Sequence, residues 1–140
     1  MTISMYSASI PVFVRALDNL TQVLKKGEAH AQAKKIPDPD ALLQQRLIFD
    51  MLPLVKQVQI ACDMAARGAA RLAGVEPQSF DDNEKTFAEV YARIERASAY
   101  VQSFTPAQID DSEERPIHLK MRNGEMNFTG LEYLQQFTIP

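Results

Sequence analysis

Tryptophan is absent from this sequence of 140 residues, and only one cysteine and two histidines are present. The single cysteine, Cys62, has no internal disulfide partner, so nothing indicates an oxidising compartment. No apolar run approaches the roughly 20 residues that span a bilayer. The first ten residues also lack the basic and apolar regions of a signal peptide. The sequence therefore predicts a cytoplasmic protein.

An excess of charge of one sign is also lacking, because the formal net charge is only −3. No basic arm or patch is visible, so the sequence predicts a protein that binds neither nucleic acid nor membranes. The length is typical of one domain, and the 46% of hydrophobic residues is enough for an ordinary core. A single domain over residues 1–140 is predicted.

The two histidines, His30 and His118, form no metal motif. There is no HExxH and no histidine pair at helical spacing, so no metal ligand is assigned from the residues. We expect His30 to lie on the surface. His118 is predicted on the polar face of a hairpin, where it becomes a candidate ligand only if that face lines a pocket.

Other polar residues give no catalytic or cofactor-binding assignment. We expect Cys62 to be a small core residue, since no nearby cation or helix N-terminus is evident to activate its thiol. Asp63 is predicted to pair with Arg67 four residues later, but Asp63 or Gln57 would line a site if it faced inward.

An acidic run follows the third helix and is predicted to be a solvated loop, since it lacks the spacing and the glycine of a calcium loop. It consists of Asp110, Asp111, Glu113 and Glu114.

Apolar residues at steps of three and four predict three long helices, over about 9–26, 50–73 and 84–104. Ser9 is the predicted N-cap of the first helix, and Gly27 its end. In the third helix, Glu89 and Arg93 are predicted to form an exposed pair.

Alternating residues around Asn123-Gly124 predict a β-hairpin over about 115–129, with those two residues as the turn. The predicted register pairs Arg122 with Glu125, Met121 with Met126, and Leu119 with Phe128. Thr129 and Glu132 form a capping box that starts another helix, yet the sequence stops about two turns later.

Three stretches carry a family resemblance: MYSASIPVF at 5–13, FDMLPL with QVQ at 49–59, and the end from Phe128 to Pro140. The chain resembles an uncharacterised bacterial family of the DinB/YfiT-like superfamily, whose members are regarded as metalloenzymes. The resemblance covers essentially the whole chain.

The resemblance implies an all-α, up-down-down-up four-helix bundle, often paired as a homodimer. Superfamily members commonly hold a divalent metal with three histidines, one from the second helix and two from the fourth, and some transfer thiols or isomerise maleylpyruvate. Here the predicted second helix has no histidine, and the fourth would begin near Leu131 and run past Pro140. We therefore expect a truncated fourth helix and carry over no ligand.

Two functional hypotheses follow. The first is a DinB-like bundle of uncharacterised activity, for which a divalent metal rests on superfamily analogy alone and enzymatic activity is undecided. The second is a non-catalytic dimeric module that binds a small apolar ligand or a protein partner.

Overall fold

Helices make up most of the computed structural model, which describes residues 2–140. The α-helices are α1 (Met5–Ala33), α2 (Leu54–Ala73), α3 (Phe87–Gln102), α4 (Pro106–Ile109) and α5 (Gly130–Tyr133). A 3₁₀ helix covers Pro39–Gln44, and a π-helical turn at Leu134–Thr138 continues α5. Strands β1 (Pro116–Met121) and β2 (Gly124–Thr129) form one antiparallel hairpin. The predicted helical fold with a small hairpin is confirmed.

Helices α2 and α3 run in the same direction. The Leu54 amide at the start of α2 donates to the Gln45 carbonyl, just after the 3₁₀ helix, at 2.9 Å. The Phe87 amide at the start of α3 donates to Asp40 in the same 3₁₀ helix, at 2.8 Å. Because both helices begin beside one element, the chain must return along the length of α2 before α3 starts.

Helix α1 runs against this pair. Its Tyr6 amide donates to Asp110, which follows α3 and α4, at 3.0 Å. The start of α1 therefore lies where α3 ends. The three long helices are arranged up, down, down, as the resemblance implied.

The first helix is longer than predicted. Ser4, not Ser9, is its N-cap, and the Ser4 hydroxyl accepts from the Ser7 amide at 3.1 Å. Gly27 lies inside α1 and does not end it. The helix continues for six more residues, to Ala33, and the side chain of Ala31 in this stretch is buried. The predicted end at Gly27 is therefore wrong.

The other two long helices begin later than predicted. Pro53 is the N-cap of α2, and Gly74 ends it in the left-handed conformation, with φ of 73°. Thr86 and Glu89 form a capping box that starts α3. The end of α2 is as predicted, whereas the two starts differ by about three or four residues.

The predicted hairpin register is wrong. Leu119 pairs with Met126 rather than Phe128, and Met121 pairs with Gly124. The turn residues are consequently Arg122 and Asn123. Among the described residues, Gly124 takes the positive φ at this turn, 134°, while Asn123 does not.

The prediction of which side chains lie on each face of the hairpin is nevertheless correct. Moving the partner by two residues keeps each side chain on its original side, because the side-chain period of a strand is two. Ile117 and Leu119 are buried against the helices, as the alternation predicted. None of the helices within residues 2–140 is both long enough and apolar enough to cross a bilayer.

Candidate functional site

A buried charge cluster fastens the segment that connects α2 to α3, residues 75–86, which we call the crossover segment. Arg93 of α3 is 1% exposed. Its Nη1 lies 2.8 Å from Glu84 Oε1 and 2.7 Å from Asp82 Oδ1, both in the crossover segment. Its Nη2 lies 2.9 Å from Asp63 Oδ1 on α2. One guanidinium therefore joins two parallel helices and their connection.

We call this cluster, together with Gln59, the Arg93 junction. The Gln59 amide nitrogen donates to Glu84 Oε1 at 3.2 Å, and Gln59 is itself buried. The Phe80 ring of the crossover segment lies 5.7 Å from the Arg93 guanidinium, which adds a cation–π contact.

The electrostatics of the junction favour the charged forms of Arg93 and Asp82. Burial alone would lower the pKa of Arg93, but hydrogen bonds to Asp82 and Glu84 outweigh it and raise that pKa above its ordinary value. The hydrogen bond from Arg93 also lowers the pKa of the Asp82 carboxyl. Arg93 and Asp82 are therefore both charged at neutral pH, and the hydrogen bond between them is charge-assisted.

Of two pairings predicted from the sequence, one is wrong and the other is present with a nearer partner added. The predicted exposed pair of Glu89 with Arg93 is wrong, since Arg93 points inward and Glu89 accepts from the Thr86 amide at 3.1 Å. Asp63 does approach Arg67 at 4.0 Å, but its nearer partner is Arg93. Asp63 thus lies at the edge of a buried network rather than in a simple surface pair.

Cys62 lies next to this network on α2 and is fully buried. Burial raises the pKa of its thiol to about 11. A neutral, inaccessible thiol is a poor nucleophile, so its position agrees with the predicted role as a core residue.

An apolar groove lies between α1 and α2 on the side where the end of the chain crosses them. Its volume is about 530 Å³. We call it the α1–α2 groove; it is lined by Val12, Phe13, Ala16, Leu17 and Leu20 of α1, Ile60, Ala61, Met64 and Ala65 of α2, and Thr138, Ile139 and Pro140. Apolar surface of this kind binds ligands or other apolar surfaces, because its burial removes it from water.

Gly68 of α2 and the C-terminal segment approach each other closely beside this groove. A Cβ built on Gly68 would lie 2.7 Å from Thr138 Cγ2 and 3.4 Å from the Phe13 ring. The absence of a side chain at residue 68 therefore lets the segment after α5 lie against α2 and form one end of the groove.

The hairpin places His118 on its exposed face, as predicted. The His118 Nε2 atom lies 3.2 Å from Glu125 Oε2, and Nδ1 contacts the Asn127 side chain. Both contacts raise the pKa of His118, and the contact with Asn127 has the larger effect. Both ring nitrogens are thus engaged by neighbours on the hairpin.

The remaining sequence candidates are scattered. His30 lies near the end of α1 and is exposed. Gln57 is exposed and donates to the Leu52 carbonyl at 2.9 Å, so it faces no site. In the acidic run, Asp110 caps the start of α1 through Tyr6.

These positions do not fit a divalent metal. No group of three or more His, Cys, Asp or Glu side chains within residues 2–140 is placed to hold one. The three carboxylates of the Arg93 junction are already engaged in hydrogen bonds with Arg93, and the two histidines belong to different elements, α1 and the hairpin. No catalytic step through a metal is therefore derived for this chain.

The fold is that of DinB-like helical bundles. A crystal structure of a DinB family member protein from Shewanella denitrificans superposes with a TM-score of 0.84 and is 36% identical; the match covers 96% of this chain and 76% of that one. Residues 5–140 match the domain of unknown function DUF1993, and the chain belongs to that family. No curated protein matches the sequence. The predicted family resemblance is confirmed.

Sequence reasoning missed the Arg93 junction and the α1–α2 groove. Arg93 stands four residues after Glu89, which is the spacing of a surface pair, while its true partners are 9 to 30 residues away. The available signal was the helical phase, since Arg93 lies beside the buried residue Ile94 and three residues after the buried residue Val90.

Proposed function

We propose that this chain is a non-catalytic binding module whose α1–α2 groove takes up apolar surface, from a small ligand or from a partner protein. The observation that carries the proposal is the groove itself, because it combines an apolar lining with open access. Val12, Ile60 and Ile139 in its lining are each 42–50% exposed. Side chains of this kind gain free energy when they are covered.

A second exposed apolar surface supports a binding role. The loop before α2 carries Leu47, Ile48, Phe49 and Leu52, and Phe49 is 92% exposed. The loop is closed on itself by hydrogen bonds from Arg46 to the Met51 carbonyl and from Met51 to Ile48. An ordered loop that presents apolar side chains is typical of an interaction surface.

The groove is tested with the probe 1-anilinonaphthalene-8-sulfonate, whose fluorescence rises in apolar sites. We expect saturable binding to the wild type. Ala61→Glu should weaken it, because Ala61 is exposed in the groove and a carboxylate there repels the anionic, apolar probe. Ala99→Glu is the matched control, since Ala99 is an exposed helical alanine on α3, outside the groove. Equal binding by all three proteins would refute the proposal.

Homodimerisation is part of the same proposal and is supported by the two exposed apolar surfaces. Sedimentation equilibrium of the wild type should give the mass of a dimer, and Ala61→Glu or Phe49→Ser should shift it toward a monomer. A wild type that stays monomeric over the whole concentration range rules out the dimer while leaving the ligand proposal to the probe experiment.

The first hypothesis from the sequence is a DinB-like bundle of uncharacterised activity, for which a divalent metal rests on superfamily analogy alone. The similarity to the DinB family member supports the fold part of this hypothesis. Metal analysis of protein purified without added metal tests it. A stoichiometric divalent metal that is lost in His118→Ala would favour an enzyme.

We also propose a cytoplasmic location in a bacterial cell, supported by the single cysteine and tested by fractionation.

A further inference from the structure

The crossover segment is attached to the helices by side chains rather than by its own backbone. Only Glu84 in it is buried, and within residues 2–140 no hydrogen bond between two backbone groups involves residues 76–84. Arg93 donates to the Asp81 carbonyl at 3.0 Å and to Asp82 Oδ1 at 2.7 Å. It also donates to Glu84 Oε1 at 2.8 Å. One buried side chain thus makes three of the attachments.

The helices under the segment pack without its help. Buried apolar side chains of α2, such as Val58, share one hydrophobic core with those of α3, such as Ile94. No residue of the crossover segment belongs to that core. Regions with few buried apolar contacts open at a lower free energy than the core unfolds. The segment can therefore separate from α2 and α3 while both helices stay folded.

The charges around the junction balance while the segment is closed. Lys56 Nζ lies 3.5 Å from Asp82 Oδ2, and Arg67 Nη2 lies 4.0 Å from Asp63 Oδ2. With the contacts of Arg93, three cations meet three carboxylates; they are Lys56, Arg67 and Arg93, and Asp63, Asp82 and Glu84. Only Asp82 and Glu84 belong to the crossover segment. Opening it leaves the three cations with Asp63 alone, an excess of two positive charges.

Opening also frees hydrogen-bond donors on the two helices. Arg93 Nη1 and the Gln59 amide nitrogen are released from Glu84 Oε1, to which they lie at 2.8 and 3.2 Å. Lys56 Nζ is released from Asp82. Guanidinium and ammonium groups bind phosphate oxygens as well as carboxylate oxygens. The vacated place therefore suits an anion that carries the two charges of the departing carboxylates.

We propose that α2 and α3 carry a binding site for a small dianion, a phosphate or a dicarboxylate, around Arg93, Gln59 and Lys56. In the closed structure the crossover segment occupies this site with Asp82 and Glu84, so the segment is a built-in competitor of the ligand. The ligand binds only to molecules in which the segment is open, and its apparent affinity is reduced by that fraction. The site is separate from the α1–α2 groove and does not depend on the function proposed for it.

A tryptophan in the crossover segment reports its opening. The sequence contains no tryptophan, so Phe80→Trp introduces a single one. The Phe80 ring lies 5.7 Å from the Arg93 guanidinium and 6.3 Å from the Tyr100 ring, and opening would move residue 80 into water. Titration with inorganic phosphate or succinate, at an ionic strength kept constant with sodium chloride, should give a saturable shift of the emission to longer wavelength.

The two probes also identify the class of anion. The probe with the lower midpoint shows whether the site prefers a phosphate or a dicarboxylate. If neither probe shifts the emission, or if sodium chloride alone shifts it equally, the proposal is wrong.

Neutralising the competitor provides a second readout in the Phe80→Trp protein. Asp82→Asn combined with Glu84→Gln should lower the midpoint about tenfold, because the open fraction rises. Glu76→Gln combined with Asp81→Asn is the matched control, since it removes the same charge from exposed side chains of the same segment and should leave the midpoint unchanged.

Equal midpoints in the two double variants would overturn the proposal, because they would show that only the net charge matters. If the first double variant does not fold, Asp82→Asn alone gives the comparison with Asp81→Asn. The Asp82 side chain is 43% exposed, and its replacement should still lower the midpoint.

Discussion

Arg93 is the residue whose replacement should cost most. Arg93→Met leaves Glu84 without its cation in a buried setting, and breaking a buried pair from one side typically costs about 3–5 kcal/mol. We expect a loss of this size in the free energy of unfolding measured with urea. Arg96→Met, at an exposed position of the same helix, is the control and should change stability by less than about 0.5 kcal/mol. Similar losses for both variants would show that the junction does not stabilise the fold.

Gly130 is required by a close approach of two backbone segments. A Cβ at this residue would lie 1.9 Å from the Ser112 carbonyl oxygen, and the neighbouring Leu131 amide is tied to Glu113 at 3.0 Å. Gly130→Ala must therefore displace backbone, and we expect it to lower the melting temperature through a loss of about 1–3 kcal/mol.

Gly27 provides a control, because its substitution by alanine should raise stability where that of Gly130 lowers it. It lies inside α1, and a Cβ there would make an ordinary contact of 3.5 Å with Leu42. Gly27→Ala should stabilise the protein by about 0.5–1 kcal/mol, since alanine loses less backbone entropy in a helix. A destabilised Gly27→Ala, or an unchanged Gly130→Ala, would contradict these two accounts of the glycines.

At the scale of elements, the hairpin should respond to pH through His118. Its pKa is raised by Asn127 and Glu125, so the folded state binds the proton more tightly than the unfolded chain. The contribution of protonated His118 to the free energy of unfolding is fully present below the unfolded pKa of about 6.5. It is lost as pH rises through the higher pKa of the folded state.

An NMR titration of the His118 imidazole checks this expectation. Glu125→Gln should lower the pKa of His118, because it removes the negative charge that lies 3.2 Å away. Glu114→Gln, which alters a carboxylate outside the hairpin, is the control. An unchanged pKa in Glu125→Gln would mean that the ion pair does not form in solution.

Elements were predictable where local chemistry decides them. The Thr129–Glu132 capping box forms as its spacing required, and the left-handed Gly74 ends α2. The hairpin was recognised but misregistered, because a shift of two residues keeps every side chain on its face. The pattern of apolar and polar residues could not detect that error, and the turn geometry at Gly124 decided it.

At the scale of the whole molecule, the candidate sites could not be read from the sequence. The Arg93 junction unites side chains from α2, the crossover segment and α3, and no local spacing brings such residues together. The α1–α2 groove likewise depends on how two antiparallel helices and the C-terminal segment meet. The family resemblance supplied the bundle topology, whereas the interior contacts required the structure.

The parallel arrangement of α2 and α3 has a consequence for the order of folding. Helix α2 has 20 residues and is about 30 Å long, so the crossover segment must be stretched back along it before α3 can dock. Contacts that depend on such a return tend to form late, after the costs of loop closure are met. If the Arg93 junction forms after the rate-limiting step, its loss accelerates unfolding and leaves the refolding rate nearly unchanged. The junction would then govern how long the native state lasts rather than how fast it is reached.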